Sequence, residues 1–238
     1  MLKIGLLNRN GIYDGFIHYA KKFKPDWIIG QPQKPDIFLT WNDVLPTFAK
    51  TIESLNAKGI PTVCTQHGIE AFDHYFKKDY KPIAKYHLAW DSFDAWCAKE
   101  RGARNVKIIG MPLWDCPEVK VDNLPDKFML YIPKHAAWEQ EAIQHEFEDA
   151  KIRAKYFNLP LVVKLLGTQD CIVDNSIIVH THPNNPEHLG KCIYLVNRAT
   201  KLYIYGKQTA KILFETRDKP VIGNSMKIIH LIEDICGI

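Results

Sequence analysis

The sequence lacks the short motifs that mark common nucleotide and metal sites. No GxGxxG fingerprint follows a predicted strand, so an NAD-type dinucleotide site has little support. No GxxxxGK(S/T) is present, which excludes a P-loop kinase, and HExxH and Asp-rich metal motifs are missing as well. We therefore expect chemistry that needs neither a bound cofactor nor a metal ion.

Long apolar runs and paired cysteines are missing too. No run approaches the roughly 20 residues that cross a bilayer. The start of the chain, MLKIGLL, passes directly into a predicted strand without the charged region or cleavage site of a signal peptide. The 6 cysteines show neither CxxC pairing nor a dense framework, so neither zinc nor disulfides are implied. We expect a cytoplasmic protein whose thiols are reduced and mostly buried.

The composition is that of a folded protein. With 46% hydrophobic and 24% charged residues, the 238-residue chain can form one large domain or two of ordinary size. The net charge is +4, and the surplus lies in residues 1–115, which hold 16 lysines and arginines against 12 acidic residues. A basic first half indicates an anionic partner or ordinary surface variation, and the charge count leaves both open.

Strands alternate with helices along the chain, which predicts parallel, doubly wound sheets of the α/β class. The periodicity fails between residues 116 and 126, which indicates an interdomain linker. We predict two Rossmann-like domains, 1–117 and 126–238, whose sheets face each other across a cleft, a natural site for a nucleotide-linked ligand. The predicted strands are 3–8, 27–30, 36–41, 62–66, 87–90, 106–109, 128–132, 161–165, 177–180, 202–205 and 220–222, and the predicted helices are 14–23, 44–58, 93–101, 138–157, 186–200, 208–217 and 225–235.

One predicted strand delivers a histidine to a loop. The β-branched run that begins at Thr62 ends abruptly in Gln66-His67-Gly68. In an open α/β sheet, ligands lie beyond the carboxyl ends of the strands, and the glycine lets the backbone turn there. His67 is therefore either a catalytic group or a structural histidine that bonds the backbone.

Short segments spread over most of the chain carry a family resemblance. Trp90-Asp91-Ser92-Phe93-Asp94 is similar to W-G-x-F-D, Gly110–Asp115 to G-x-P-R-F-D, Leu130–Pro133 to Y-A-P-T, and Val162–Leu165 to V-V-K-L-H-P. Together with the histidine-glycine pair they resemble the GT-B glycosyltransferases, and more narrowly the branch of CDP-glycerol glycerophosphotransferases and capsule-type transferases. The resemblance implies sugar transfer from a nucleotide-activated donor.

The same resemblance places a donor site in the second domain. Residues 208–222 are similar to a family helix opened by two hydroxyl residues that bind the donor phosphates, and a helix N-terminus suits phosphate. Here Gln208 replaces one hydroxyl residue, and Glu215 lies near, but out of register with, the family's acid. The candidate donor-binding residues are Lys134, His135, Lys164, His182, Lys207, Gln208, Thr209 and Glu215.

Several of these candidates have a plain alternative. Lys164 at a strand end is either a cation that stabilises the leaving group or a surface lysine. Lys134 and His135 follow the first strand of the second domain and face the predicted cleft. His180 and His182 are two residues apart, hence on opposite faces of a continuing strand, which argues against a shared metal. That segment is a wall of the nucleotide pocket or simply a polar loop.

The acceptor is assigned to the first domain. Residues 72–81 interleave lysines with aromatic residues. Such a segment can bind a phosphate backbone through its lysines and stack its aromatic rings on bases or sugars. Alternatively, it is a helix with its lysines exposed and its aromatic residues in the core. The candidate acceptor-binding residues are Asn10, Lys77, Lys78 and Lys81.

The leading hypothesis is a metal-independent glycosyltransferase that uses a nucleotide sugar, most simply a UDP-sugar. His67 is the candidate base, with Asp91 as its replacement. The acceptor is a glycan, a polyol phosphate or a hydroxymethylated DNA base. A nucleotide-sugar 2-epimerase, which would need several acids in the cleft, and a non-catalytic two-domain binding protein are the alternatives, and the oligomeric state stays open.

Overall fold

The chain divides into two compact units, each built on a parallel sheet. The structure, a computed structural model, describes residues 1–7, 13–43, 45–66, 81–133, 140–166, 176–181, 187–204, 209–218 and 222–238. Unit 1 is Met1–Cys116 with Val221–Ile238, and unit 2 is Pro117–Pro220. Unit 1 contains a six-stranded sheet and unit 2 a four-stranded sheet. The predicted α/β class with parallel, helix-covered sheets is confirmed.

In unit 1 the strands run in the order β2-β1-β3-β4-β5-β6. The inner strands β3 and β4 are buried along their whole length, as expected where helices cover both faces of a parallel sheet. The strands are β1 Lys3–Leu6, β2 Ile28–Gly30, β3 Ile37–Thr40, β4 Thr62–Thr65, β5 Tyr86–Ala89 and β6 Asn105–Ile108, and the helices that alternate with them are α1 Asp14–Phe23, α2 Pro46–Ala57 and α3 Ser92–Glu100.

In unit 2 the strands run in the order β10-β7-β8-β9. One part of its core lies on the face of the sheet where Phe147 and Ala150 of α4 pack against Tyr131, Val163 and Leu165. The strands are β7 Met129–Ile132, β8 Leu161–Leu166, β9 Ile177–Thr181 and β10 Lys201–Ile204, and the helices are α4 Gln140–Tyr156, α5 His188–Arg198 and α6 Thr209–Thr216.

The segment predicted as a linker is packed against unit 2. It contains no helix or strand between Asp115 and Met129, yet Glu118 accepts hydrogen bonds from Asn197 at 2.6 Å and from Arg198 at 2.9 Å. At Gly190 of α5, an added Cβ would lie 2.5 Å from the carbonyl oxygen of Pro117, so only glycine allows this close approach. These contacts hold the segment on α5.

The final helix, α7 (Asn224–Cys236), belongs to unit 1. The expected second domain, 126–238, included it, and that assignment was wrong because the helix buries its apolar side in the first unit. Ile228, Ile229 and Ile232 are fully buried, and α7 packs against α1, where Lys24 forms an ion pair with Glu233. Of the strand predicted at 220–222, residues 220 and 221 lie outside the described part of the chain, and Ile222 is not in a strand.

A short 3-10 helix, Pro112–Asp115, receives the N-terminus of α7. Asp115 accepts hydrogen bonds from the backbone N–H groups of Gly223 and Ser225, and so caps a helix that begins more than a hundred residues later. Asn224 donates to the carbonyl oxygen of Met111 at 3.3 Å. The Gly110–Asp115 segment, which carried part of the family resemblance, therefore serves as the docking site of α7.

Candidate functional site

The ends of β4 and β5 are joined by a buried glutamine. Gln66, which is 3% exposed, follows β4 directly, and its side-chain oxygen accepts a hydrogen bond from the backbone N–H of Trp90 at 2.8 Å. Its own backbone N–H donates to the carbonyl oxygen of Leu88 at 2.9 Å. The Gln66 side chain also bonds the carboxyl group of Asp94. These contacts fix the carboxyl edge of the sheet of unit 1 at the position before His67.

Asp94 is a buried carboxyl group at this edge. It lies in the first turn of α3, is 3% exposed, and its backbone N–H donates to Oδ1 of Asp91, the N-cap residue, at 2.8 Å. Burial raises the pKa of Asp94 to about 7; the Asp91 charge adds to the rise, while the bonds from Gln66 and the Trp90 backbone oppose it. Its Oδ1 atom has no hydrogen-bond partner in the described part of the chain. Asp91 itself is exposed.

A second buried polar cluster joins β3, β4 and β5. Asp43, Cys64 and His87 offer potential metal-ligand atoms within 4.8 Å of one another. Hydrogen bonds already occupy Oδ2 of Asp43, which accepts from the backbone N–H groups of Ile83 at 2.9 Å and Ala84 at 3.1 Å and lies 2.9 Å from Nε2 of His87. Burial and the Asp43 charge also raise the pKa of the Cys64 thiol, which disfavours the thiolate that binds metals. We interpret the cluster as a structural clamp.

Unit 2 buries a lysine near the carboxyl end of its sheet. Lys164 on β8 is 5% exposed, and within the described residues it has no hydrogen-bond or ion-pair partner. Its strand neighbours Val163 and Leu165 face the core under α4, so Lys164 faces the other side of the sheet, where it pairs in register with Val179. Burial of a lysine side chain costs free energy, which an anion beside its ammonium group would offset. Lys164 is thus a buried residue and not the surface lysine of the alternative interpretation.

Helix α6 begins at Thr209, as the donor-site hypothesis requires. Glu215 lies near its other end, about 9 Å along the axis for six residues of helix. The Glu215 side chain is exposed and forms an ion pair with Lys211 at 3.7 Å. The structure therefore does not bring Glu215 to the helix N-terminus, where the donor-site hypothesis places a phosphate. The acid is instead paired within its own helix.

A groove of about 620 Å³ runs beside α4 in unit 2, away from these positions. Its lining includes Glu146, Glu148 and Asp149, so its charge opposes a diphosphate. Tyr203 donates to Asp149 at 2.5 Å, and burial together with this carboxylate raises the pKa of the Tyr203 hydroxyl to about 12. We therefore do not place the donor in this groove.

Most of the remaining predicted site residues lie outside the described ranges. Lys81 is described, and it is an exposed residue before β5. Thr209 is described as the first residue of α6. The candidates outside the described residues are Asn10, His67, Lys77, Lys78, Lys134, His135, His182, Lys207 and Gln208.

Sequence reasoning missed Gln66 and Asp94 as a unit. The local signal was available in part, since an N-cap aspartate at position 91 predicts a helix whose third residue is Asp94. The Gln66 side chain that interacts with this carboxyl group lies 28 positions earlier in the numbering, so no local pattern could reveal the pair. None of the helices in the described part of the chain combines the length and apolar character needed to span a bilayer.

Comparisons with known proteins bear on the fold. No protein-family model and no curated protein matches the sequence. The structure is similar to that of UDP-GlcNAc 2-epimerase from Methanocaldococcus jannaschii, solved in complex with UDP-GlcNAc and UDP, with a TM-score of 0.58 and 13% identity over 99% of this chain and 92% of that one. The GT-B-like fold of two Rossmann-like domains is confirmed. The narrower resemblance to CDP-glycerol glycerophosphotransferases finds no support in these comparisons.

Proposed function

We propose that the protein is a nucleotide-sugar-dependent glycosyltransferase that binds the diphosphate of its donor in unit 2. The observation that carries the proposal is Lys164, a lysine that is 5% exposed and lies near the carboxyl end of β8. In parallel sheets, ligands bind beyond the carboxyl ends of the strands. The GT-B-like fold supports a nucleotide sugar as the ligand, and UDP as its nucleotide, because the similar epimerase was solved with UDP-GlcNAc and UDP.

Sugar transfer makes two demands on the residues of this chain. The oxygen of an acceptor hydroxyl forms a bond to the anomeric carbon and gives its proton to a base, for which His67 is our candidate and Asp91 its replacement. The bond from that carbon to the nucleoside diphosphate breaks, and the diphosphate leaves with the electron pair. The Lys164 ammonium would stabilise the charge that develops there, the role that a metal ion plays elsewhere.

The other donor residues complete this proposal. The N-terminus of α6 would hold a phosphate through its free N–H groups and the Thr209 hydroxyl. Lys134, His135 and His182 follow strands of unit 2 in the sequence, Lys207 and Gln208 precede α6, and we propose that these residues contact the same ligand. Glu215, paired with Lys211, would contact the ribose only if that ion pair opened.

The experiment is incubation of the protein with UDP-, CDP- and GDP-sugars, each alone and with a glycan, a polyol phosphate and hydroxymethylated DNA. A transferase releases nucleoside diphosphate faster when its acceptor is present, and the sugar appears on that acceptor. His67→Asn should lower the transfer rate by about 10²- to 10⁴-fold without weakening donor binding. Release that no acceptor accelerates, or a His67→Asn protein with normal turnover, would contradict the proposal.

A second candidate function is epimerisation at C2 of the nucleotide sugar, which the similar fold of an enzyme of that name favours. It would need acidic groups near the sugar, and Asp94 and Asp91 are acids at the carboxyl edge of the unit 1 sheet. The two functions differ in their products. An epimerase returns a nucleotide sugar with altered configuration at C2 in the absence of any acceptor, whereas a transferase returns the donor unchanged.

A further inference from the structure

We propose that the last turn of α4 and the adjacent start of β10 bind the surface of an anionic lipid bilayer. Three large apolar side chains are exposed at the end of α4: Tyr156 is 83% exposed, Ile152 68% and Phe157 43%. We call these three residues, together with Lys155 and Lys201, the α4 tip. Binding at a bilayer surface needs no spanning helix, and it does not depend on the proposed transferase activity.

The fold of unit 2 does not account for these apolar side chains. On α4, Ala150 and Ala154 face the core of the sheet. Ile152 and Tyr156 each lie two residues further on, about 200° around the helix, and so on the side away from the sheet. The helix dipole favours basic residues at this end of α4, but it does not favour aromatic ones. Exposed apolar side chains that lie together indicate an interaction surface.

The end of α4 presents the tip from a well-defined turn. Asn158 has a left-handed backbone conformation, with a φ of 52°, and the N–H of Leu159 donates to the carbonyl oxygen of Ala154 at 2.9 Å. This pattern ends a helix in a Schellman turn. Leu159 then packs against the core of unit 2. Tyr156 and Phe157 come directly before this turn, so their backbone is held by the hydrogen bonds that close the helix.

The charges along α4 favour an anionic surface at its C-terminal end. Lys155 and Lys201 are exposed, and the Lys201 ammonium group lies 4.8 Å from the centre of the Phe157 ring. The charged residues that follow Asp149 on α4 are all basic. Asp149 itself lies about 10 Å before Tyr156 along the helix axis. With its C-terminal end against a bilayer, α4 would place lysines at the lipid phosphates and keep its acidic residues away from them.

Lysines beside aromatic residues also occur in nucleic-acid sites, but the geometry of these rings favours lipid. Bases stack on open ring faces. The Lys201 ammonium group lies over the Phe157 ring, and the Tyr156 ring is turned 78° from that of Phe157 with the ring centres 5.1 Å apart. The two rings therefore offer no common flat surface to a base, and Ile152 has no ring at all. Tyrosine at the headgroups, apolar side chains below them and lysines at the phosphates suit a membrane interface.

The first test measures sedimentation of the full chain with lipid vesicles. Wild-type protein should sediment with vesicles of phosphatidylserine and phosphatidylcholine in equal parts, and it should stay in solution with vesicles of phosphatidylcholine alone. Salt at about 1 M, where the screening length is about 3 Å, should weaken the binding. Wild-type protein that binds neither kind of vesicle, or both equally, would overturn the proposal without any variant.

The second test locates the lipid-binding surface with variants of the α4 tip. Lys155→Gln combined with Lys201→Gln should lower the vesicle partition coefficient by about fivefold for each lysine, the usual effect of one basic residue near an anionic surface. Tyr156→Ser combined with Phe157→Ser should lower it by about tenfold or more, because binding increases with the apolar area that enters the interface.

Matched controls carry the same kinds of change at exposed positions of unit 1. Lys99→Gln with Lys107→Gln removes two positive charges, and Phe93→Ser with Trp96→Ser removes two exposed aromatic rings. Both control proteins should bind vesicles as the wild type does. If the controls lost as much binding as the tip variants, the lipid would not be bound by the α4 tip, and the proposal would fail.

Two further measurements separate lipid binding from other functions. Fluorescent single-stranded DNA is the probe for a nucleic acid, and a protein that binds this DNA through the tip but binds no vesicles would contradict the proposal. Turnover of nucleotide sugars in solution should be equal in wild type and tip variants, because Lys201 begins β10 whereas Lys164 lies near the carboxyl end of β8. Vesicle binding through the tip in a protein that processes no nucleotide sugar would sustain lipid binding and remove only the proposed function.

Discussion

The carboxylate of Asp115 accepts a hydrogen bond from the backbone N–H of Ser225, a residue 110 positions later in the chain. Both residues are at least 95% buried, and the same carboxylate also accepts from Gly223. A negative charge at a helix N-terminus interacts favourably with the helix dipole as well as with the free N–H groups. This one side chain therefore supplies the cap that fixes α7 to unit 1.

Removal of the Asp115 carboxylate should destabilise the protein. We expect Asp115→Ala to lower the free energy of unfolding by about 2 to 4 kcal/mol, because it removes two hydrogen bonds to a charged group. Asp122→Ala, which removes an exposed acid paired with Lys120 at 3.0 Å, should lower the free energy of unfolding much less, because exposed ion pairs contribute little. Urea denaturation of both variants tests this. Equal stabilities of the two variants would show that the cap contributes little.

Gly110 should tolerate no side chain. Its φ is +83°, and an added Cβ would lie 2.5 Å from the side-chain oxygen of Asn224. Gly102→Ala is a matched control, because its φ is +94° but nothing lies within 4 Å of the added Cβ. Both variants carry backbone strain of roughly 1 kcal/mol, and only Gly110→Ala adds a clash. We expect Gly110→Ala to have the lower thermal midpoint of the two variants. Adding Asn224→Ala should raise that midpoint part of the way back. If it does not, the clash involves a residue other than Asn224.

Asp94 should make stability depend on pH. Its folded-state pKa of about 7 lies above the ordinary value of 3.8, so the unfolded chain ionises first and the fold loses stability as pH rises from about 4 to about 7. Asp94→Asn stays neutral and should escape this loss. The thermal midpoint of the variant relative to wild type should therefore be higher at about pH 8 than at about pH 5, with Glu100→Gln as the control. If the thermal midpoints of Asp94→Asn and wild type differed by the same amount at both pH values, the pKa of Asp94 would not be raised in the folded protein.

Lys164 should bind the donor's diphosphate at a cost in stability. Lys164→Met keeps the length of the side chain and removes its charge, so we expect UDP to bind about 10- to 100-fold more weakly while the thermal midpoint of the free protein rises. Lys201→Met, at the exposed first residue of β10, should change neither quantity. Calorimetric titration with UDP provides the affinities. Unchanged affinity in Lys164→Met would remove this lysine from the donor site.

The sequence could predict what depends on neighbouring residues. The helix expected at 14–23 has those bounds in the structure, because the spacing of Phe16 and Ala20 marks one buried side and the helix is set by its own periodicity. The strand expected at 62–66 is present as Thr62–Thr65 for a similar local reason, its β-branched residues. Alternation of such elements was sufficient to predict the fold class.

Features that depend on distant contacts could not be predicted. The apolar spacing of α7 predicted a helix but not its partner, which is decided by Asp115 and by packing on α1. Asp94 resembled an ordinary first-turn acid until the structure showed Gln66 beside it. Lys164 could equally have been a surface residue, because strand register and the helices on each face determine its burial.

The hydrogen bond between Asp115 and Gly223 also says where the polypeptide leaves unit 1 and where it returns. The exit at residue 116 and the re-entry near residue 222 are adjacent, so unit 2 is topologically an insertion into a surface loop of unit 1. A few glycine residues are enough to bridge ends that already touch. Unit 1 can accordingly be made as a continuous chain, 1–116 joined to 222–238, in which the Asp115 cap remains intact.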